Sequence, residues 1–188
     1  VEFGTSHISI IDRFGNAVSM TTTIEDAFGA RLMTKSGFLL NNELTDFSFL
    51  PTKDSLPVAN RVEPGKRPLS SMTPTFLESE RGIAILGTPG GSQIITMVLE
   101  AALAWHEGAT AKEMVSRKRF HHQYLPDIVT YEKGAFAPEV QSRLEAMGHN
   151  LVVSQRPYGN MNLVTWEYAT NQVEAVTDPR GESEGQVY

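Results

Sequence analysis

The feature that most constrains the fold is the distribution of β-prone segments, which gather at both ends of the chain around a helical middle. A hairpin is predicted over residues 7–23, with turn residues at 12–16. Helices are expected from about Gln93, over 109–118 and over 138–147, and three strands follow near the C-terminus. Because strands and helices are segregated along the chain, an α+β layered domain is favoured over a repeated βαβ fold.

A second predicted hairpin, over residues 76–86, leads directly into the sequence Gly87-Thr88-Pro89-Gly90-Gly91-Ser92. Glycines let backbone N–H groups approach a ligand closely, and the start of the following helix favours negative charge. The Lys-Ser/Thr pair of a phosphate-binding P-loop and the dinucleotide glycine pattern are both missing. The turn is therefore interpreted as an oxyanion-stabilising site, with a purely structural tight turn as the alternative.

Two segments between the hairpins are also assigned. Phe38-Leu39-Leu40 is predicted to form a short buried strand. Residues 51–68, with several prolines, Asn60 and Gly65, are predicted to form an irregular surface loop or lid.

Composition and charge exclude several classes of function. The chain has 188 residues and a formal net charge of −6, so we expect one domain and no electrostatic grip on nucleic acid or an anionic membrane. It contains no cysteine, which excludes disulfides and thiolate metal sites. The longest apolar stretch, 94–105, is interrupted by Glu100 and is shorter than the roughly 20 residues of a membrane span.

Polar clusters offer further candidates for chemistry. Glu43 and Asp46 are spaced so that they could converge on a ligand amine, although such residues also cap helices and turns. Ser70 and Ser71 offer adjacent hydroxyls that could bind a carboxylate or simply line a polar strand edge.

The histidines that invite a metal or general-base reading are expected to be structural. His121 and His122 have no partner at familiar metal-ligand spacing. His7 lies two residues from Thr5, on the same face of the predicted strand.

The candidate motifs, taken together, occur in one order along the chain and resemble the small, nucleophile-bearing subunit of γ-glutamyltranspeptidases over nearly the whole sequence. They are TSHISIID (5–12), GNAVS (15–19), GFLLNNE (37–43), DFS (46–48), KRPLSSM (66–72), PGGS (89–92), FHHQ (120–123) and DPR (178–180).

The resemblance implies an α+β four-layer αββα sandwich of the N-terminal-nucleophile hydrolase type. Residues 1–4 would be a residual precursor segment, and residues 5–188 the catalytic domain of the small subunit. Autoproteolysis between Gly4 and Thr5 would mature it, and a large subunit from the same precursor would complete the fold. Neither a cofactor nor a metal is implied, and localisation is left open, with the periplasm or secretion as the family habit.

The implied reaction is attack by Thr5 on the γ-amide of a glutathione-like γ-glutamyl donor, forming an acyl-enzyme that is released to water, an amino acid or a peptide. Once free, the α-amino group of Thr5, with an ordinary pKa of roughly 7.7–8.0, can accept a proton, so one residue supplies both nucleophile and base. By resemblance, Thr23 orients the nucleophile, and the N–H groups of Gly90 and Gly91 form the oxyanion hole.

The resemblance also implies a clamp for the donor's amino-acid end. Glu43 and Asp46 match the positions that hold the α-ammonium, and Ser70 and Ser71 those that hold the α-carboxylate. An arginine that completes the carboxylate site belongs to the large subunit. Glu25 stands where well-known transpeptidases carry an asparagine near that carboxylate, and would repel it unless paired or turned away.

Two alternatives remain. Glu25, together with a loop at 51–65 that is shorter than the family's lid, motivates a cephalosporin (glutaryl) acylase-like amidohydrolase, and the short loop favours hydrolysis over transfer. The four residues before Thr5 motivate an unprocessed, non-catalytic homologue, because an amide nitrogen cannot act as a base.

Overall fold

The structure is a computed structural model that describes residues 4–188, so only Gly4 of the predicted precursor segment lies among the described residues. Two 3₁₀ turns lie at Glu43–Asp46 and Gly91–Gln93. The strands and helices are, in chain order, β1 (Thr5–Ile11), β2 (Ala17–Thr23), β3 (Thr52–Lys53), β4 (Leu56–Pro57), β5 (Thr75–Ser79), β6 (Gly82–Gly87), α1 (Ile94–His106), α2 (Ala111–Ser116), β7 (Phe120–His122), β8 (Val129–Tyr131), α3 (Pro138–Ala146), β9 (Leu151–Val153), β10 (Asn162–Glu167) and β11 (Gln172–Thr177).

The centre of the molecule is a four-stranded antiparallel sheet in the order β11-β10-β6-β5. One face of this sheet packs against α1 and α2 and forms the hydrophobic core, in which Ala84 and Leu86 of β6 are fully buried. The core is apolar because alternate residues of a strand point to the same face and meet the buried stripe of α1. None of the helices within residues 4–188 has the length and apolarity needed to cross a bilayer.

The β1–β2 hairpin packs on the other face of the central sheet and forms a second β layer. The contact is tight at Gly87, where an added Cβ would lie 2.3 Å from the His7 ring. Polar groups join the layers, since the Asn162 side chain donates to the His7 carbonyl at 2.8 Å and the Ser19 hydroxyl to the Leu86 carbonyl at 3.3 Å. The described residues thus supply three layers, a hairpin, a sheet and a helical layer.

A smaller sheet of β7, β8 and β9 carries α3. A buried ion network fixes it to the central sheet, because Arg180 bonds both Glu132, which follows β8, and Asp178, which follows β11. Arg119 also pairs with Asp178 and is 4 % exposed on its side chain.

Most of the predicted elements are confirmed, and their ends obey local rules. Both hairpins, the three predicted helices and the three C-terminal strands are present. A capping box between Thr110 and Glu113 begins α2. Gly148, at φ +95°, follows the end of α3 and adopts the left-handed conformation that glycine tolerates best.

One predicted strand is wrong, and another was missed. Phe38-Leu39-Leu40 forms no buried strand, because Leu39 makes only an isolated bridge to Met33, and Phe38 is 58 % exposed. The residues from 51 to 68 are mostly irregular, as expected, apart from the two-residue pairing of β3 with β4. His121 and His122 lie in β7, a strand that was not predicted.

Candidate active site

Thr5 is the first residue of β1 and pairs with Thr23 at the end of β2. The Thr5 hydroxyl donates a hydrogen bond of 2.9 Å to the Thr23 hydroxyl oxygen. That oxygen also accepts the backbone N–H of Glu25 at 2.9 Å. Glu25 itself has φ +70°, an uncommon conformation for a residue other than glycine. Thr5 is therefore held in one orientation by a short chain of hydrogen bonds.

The peptide bond before Thr5 is fixed as firmly as the side chain. The Gly4 carbonyl oxygen accepts the backbone N–H of Ile24 at 3.0 Å, which adds one more rung to the β1–β2 ladder. A Cβ at residue 4 would lie 2.3 Å from the carbonyl oxygen of Glu25 and 2.6 Å from that of Asp26. Only glycine allows this close approach of two backbone segments.

The glycine turn after β6 has the geometry of an anion site. Gly90 and Gly91 have φ values of +141° and +55°, and neither N–H donates a hydrogen bond to another described residue. Thr88 anchors the turn, since its buried hydroxyl accepts the N–H of Asn160 at 3.0 Å and donates to the Pro89 carbonyl at 2.8 Å. The turn thus offers two free donors at the start of α1.

Thr5 and the glycine turn open onto the same cavity, which has a volume of about 1100 Å³. Thr5, Gly90 and Tyr158 are among the residues that line it. A carbonyl group bound in this cavity can therefore meet both a hydroxyl nucleophile and backbone donors, the combination that acyl transfer requires.

Three carboxylates lie close together: that of Glu25, which follows β2, and those of Glu43 and Asp46 on the 3₁₀ turn. Burial, followed by the charges of Asp46 and Glu25, raises the pKa of Glu43, and burial together with Glu25 raises that of Asp46. The Glu25 carboxylate accepts a hydrogen bond from the Asn42 side chain. None of the three forms an ion pair with a described Lys, Arg or His. The cluster favours a cation, because neighbouring like charges repel one another unless a positive charge offsets them.

Ser70 and Ser71 lie in an extended segment between β4 and β5 that belongs to no strand or helix. The Ser70 hydroxyl accepts the N–H of Met72 at 3.2 Å, and the Ser71 carbonyl accepts the Thr73 hydroxyl at 2.8 Å. These two serines, like Glu43 and Asp46, do not line the cavity that Thr5 shares with Gly90.

Each of the three histidines considered in the sequence has a polar partner, and His121 also lines the cavity that Thr5 shares with Gly90. His7 is 4 % exposed between the two β layers, with Nδ1 2.7 Å from the Thr21 hydroxyl and Nε2 3.0 Å from that of Ser9. Nδ1 of His121 lies 2.7 Å from the Thr96 hydroxyl. In residues 4–188, no three His, Cys, Asp or Glu side chains are arranged to hold a metal ion.

The structure also brings in residues that sequence reasoning did not assign to the site. Asn60, from the predicted loop, contacts the segments on both sides of it, and Ile24 binds the Gly4 carbonyl. No local signal marks either residue, because Asn60 resembles an ordinary turn residue and Ile24 acts through its backbone.

Comparison with known proteins places this arrangement in a family. The family model described as gamma-glutamyltranspeptidase matches residues 1–188. The chain is 39 % identical over 181 residues to a glutathione hydrolase proenzyme of Bacillus subtilis (strain 168), covering 95 % of this chain and 30 % of that protein. It is 36 % identical over 184 residues to the glutathione hydrolase proenzyme of Escherichia coli (strain K12), covering 94 % and 31 %. The chain thus spans about 30 % of the length of these curated relatives.

Solved structures agree with the family assignment. An acivicin-inhibited gamma-glutamyltranspeptidase superposes with a TM-score of 0.83 at 38 % identity, over 94 % of this chain and 99 % of that one. A mutant of the Helicobacter pylori gamma-glutamyltranspeptidase gives a TM-score of 0.82 at 38 % identity, over 93 % and 99 %. The chain therefore belongs to the γ-glutamyltranspeptidase family and has the fold of the N-terminal-nucleophile hydrolases.

Proposed function

We propose that the complete protein is a γ-glutamyl hydrolase or transpeptidase that acts on glutathione-like γ-glutamyl amides through an acyl-enzyme on Thr5. The observation that carries the proposal is the Thr5 hydroxyl, bonded to Thr23 at 2.9 Å and open to a cavity that Gly90 also lines. The relatives named as glutathione hydrolases support the choice of donor.

Maturation is the first chemical step of the proposal. The Thr5 hydroxyl oxygen attacks the Gly4 carbonyl carbon, and the Ile24 N–H, 3.0 Å from the Gly4 oxygen, stabilises the developing negative charge. The Gly4–Thr5 C–N bond breaks, and the hydroxyl proton ends on the Thr5 nitrogen. Water then hydrolyses the resulting ester, which leaves Gly4 with a carboxylate and Thr5 with a free amine. Residues 1–4 leave the catalytic domain at 5–188 in this step.

Turnover uses the same hydroxyl with the new amine as its base. Thr5 loses its hydroxyl proton to the amine as it attacks the γ-carbonyl of the donor, and Gly90 and Gly91 donate to the oxyanion. The proton passes to the leaving amine, and an acyl-enzyme ester forms. Water or an amine acceptor then releases the acyl group by the reverse sequence. Thr23 holds the nucleophile in line throughout.

The clamp residues in this proposal recognise the α-amino acid end of the donor. Glu43 and Asp46 hold the α-ammonium, with Glu25 beside them, and Ser70 and Ser71 hold the α-carboxylate. The closeness of Glu25 to Glu43 and Asp46 favours an ammonium-bearing donor over a glutaryl one, because a glutaryl group has no positive charge to offset the three carboxylates.

The large subunit is the second partner in the proposal. Ile8, Ile10, Val18 and Met20 alternate along the outer face of the hairpin and are between 41 % and 51 % exposed. An apolar strand face of this kind is stable only when another layer covers it. We assign this face to a large subunit from the same precursor, which would supply the remaining α layer. The assignment is supported by the chain's length, which is about 30 % of that of its curated relatives.

The test compares the complete wild-type precursor with its Thr5→Ala variant, by intact mass and by turnover of L-γ-glutamyl and glutaryl anilides. We expect wild type to yield a chain that begins at Thr5 and to prefer the γ-glutamyl donor. We expect Thr5→Ala to stay whole and to lose at least about 10⁴-fold in rate, because nucleophile and base disappear together.

Thr5→Ser serves as the matched control, since it keeps a hydroxyl and should retain part of the activity. A wild-type protein that never cleaves would support the non-catalytic alternative, and turnover of the glutaryl anilide alone would support the acylase.

A further inference from the structure

The two halves of the proposed donor clamp lie on segments that no sheet or long helix joins. Glu43 and Asp46 are on a four-residue 3₁₀ turn, and Ser70 and Ser71 are on an extended segment without regular structure. A donor with both an α-ammonium and an α-carboxylate needs these halves at a fixed separation. Some other contact must set that separation.

The side chain of Asn60 makes this contact. Its Nδ2 donates to the Asp46 carbonyl oxygen at 2.7 Å, and its Oδ1 accepts the Leu69 N–H at 3.0 Å. One partner is therefore a clamp residue itself, and the other is the residue immediately before Ser70. The Asn60 carbonyl also accepts the N–H of Ser48 at 2.8 Å, so three segments meet at this one residue.

Asn60 is itself held in place by a cluster of charges in its own loop. Glu63 pairs with Arg61 and with Lys66, and the Lys66 ammonium donates to the Ala59 carbonyl at 3.0 Å. Arg61 donates to the Val58 carbonyl at 3.1 Å. These contacts surround Asn60 on both sides in sequence, so its amide is fixed before a donor arrives.

We propose that Asn60 is a positioning residue that sets the distance between the ammonium half and the carboxylate half of the donor site. The inference rests on the proposed function, because it takes Glu43, Asp46, Ser70 and Ser71 as the clamp. Its consequence is specific, since only a donor that engages both halves at once depends on their separation. A donor with one anchoring group can follow whichever half it binds.

The experiment measures kcat and KM for three anilides on the complete, matured enzyme. L-γ-Glutamyl anilide carries both anchoring groups, glutaryl anilide lacks the ammonium, and 4-aminobutyryl anilide lacks the carboxylate. The test variant is Asn60→Asp, which keeps the acceptor for Leu69 but turns a carboxylate oxygen toward the Asp46 carbonyl. The matched control is Asn171→Asp, because Asn171 also uses its Oδ1 as an acceptor, from Trp166 at 3.0 Å, in the turn between β10 and β11.

We expect Asn60→Asp to raise KM for the γ-glutamyl anilide about tenfold, the usual effect of losing one hydrogen bond, and to change its kcat by less than about twofold. The two singly anchored donors should keep their kcat/KM within about twofold. Asn60→Ala, which removes both contacts, should show the same selectivity with a larger KM effect, and Asn171→Asp should show none.

An equal loss of kcat/KM for all three donors would overturn the inference, because it would mean that Asn60 merely supports the fold. A fall in kcat at constant KM, or no change at all, would do so too. If Asn60→Ala fails to mature, the isosteric Asn60→Asp variant decides alone. Failure of the proposed function is separate, since it would appear as a wild-type enzyme that does not prefer the γ-glutamyl donor.

Discussion

The two long hairpins of this chain place opposite kinds of residue on their inner faces. In β5–β6, the strand Gly82–Gly87 turns Ala84 and Leu86, both 0 % exposed, toward the helices. In β1–β2, the inner positions carry hydroxyls and an imidazole, while apolar residues such as Ile10 and Met20 face outward. Both hairpins are regular and antiparallel, so the difference lies in the side chains alone.

This difference separates the part of the molecule that holds the fold from the part to which we assign the proposed chemistry. An apolar inner face stabilises by burial, at about 25 cal/mol per Å². The polar inner face of β1–β2 gains less from burial, yet it fixes Thr5, Thr23 and His7 through hydrogen bonds. The β5–β6 hairpin thus supports the β1–β2 hairpin, whose outer face is left for another layer.

The largest effect that tests this comparison is expected from Gly4→Ala, at the start of the polar hairpin. A methyl group there would collide with the carbonyl oxygens of Glu25 and Asp26 and displace the Gly4 carbonyl from the Ile24 N–H. We expect self-cleavage of the complete precursor to slow by about 10²–10³-fold, the usual effect of losing one oxyanion donor. The measurement is a time course of cleavage by gel or intact mass.

Thr22→Ala, an exposed neighbour on β2, is the control and should cleave at the wild-type rate. The fraction of Gly4→Ala that does mature should have normal kcat, because residue 4 is no longer part of the catalytic chain. Equal cleavage half-times for Gly4→Ala and wild type would contradict the role given to this close approach.

A smaller effect is expected when apolar residues of the two hairpins are compared in the complete, matured protein. Leu86→Ala should lower the free energy of unfolding by about 2–5 kcal/mol, because Leu86 is fully buried within this chain. Ile10→Ala should cost about 2 kcal/mol or more if another layer covers the outer face of the hairpin. If Ile10 stays half exposed, as it is here, the cost should be under about 1 kcal/mol. Denaturant unfolding of both variants distinguishes these outcomes.

The smallest effect concerns pH and compares His7 of the polar hairpin with Glu100 of α1. Burial lowers the pKa of His7 to about 4, so its contribution to stability is present above its ordinary 6.5 and is lost as the pH falls toward 4. Burial raises the pKa of Glu100 to about 7, so its contribution is present below its ordinary 4.5 and is lost as the pH rises through 7. Between about pH 4 and pH 7, the stabilising contribution of His7 therefore rises with pH while that of Glu100 falls.

Replacing either residue should therefore reveal the pH dependence of stability that the other residue contributes. We expect the stability of His7→Gln to fall as the pH rises from 4.5 to 7, and that of Glu100→Gln to rise, each by about 1 kcal/mol relative to wild type, because solvent screens both groups in part. Urea unfolding at several pH values provides the measurement. Slopes of the same sign in both variants would refute this assignment of the two groups.

Local patterns predicted the regular elements well, because the signals act over a few residues. The strand period and the glycine turn after β6 both correspond to observed ends. Phe38-Leu39-Leu40 was mispredicted because three apolar residues indicate burial only if a neighbouring element covers them, and here Phe38 and Leu40 are 58 % and 43 % exposed. The ordered motifs also identified the family, which the comparisons confirm.

Local sequence is enough to predict that Thr5 opens a hairpin and that a glycine turn leads into a helix, since both follow from the conformational preferences of adjacent residues. Three contacts emerge only from the folded chain: Asn42 binds the Glu25 carboxylate, Ile24 binds the Gly4 carbonyl, and Asn60 joins Asp46 to Leu69. These contacts join residues from 9 to 20 positions apart through single hydrogen bonds, which leave no periodic trace in a sequence. Their positions depend on how the layers pack, and packing is decided by the whole chain at once.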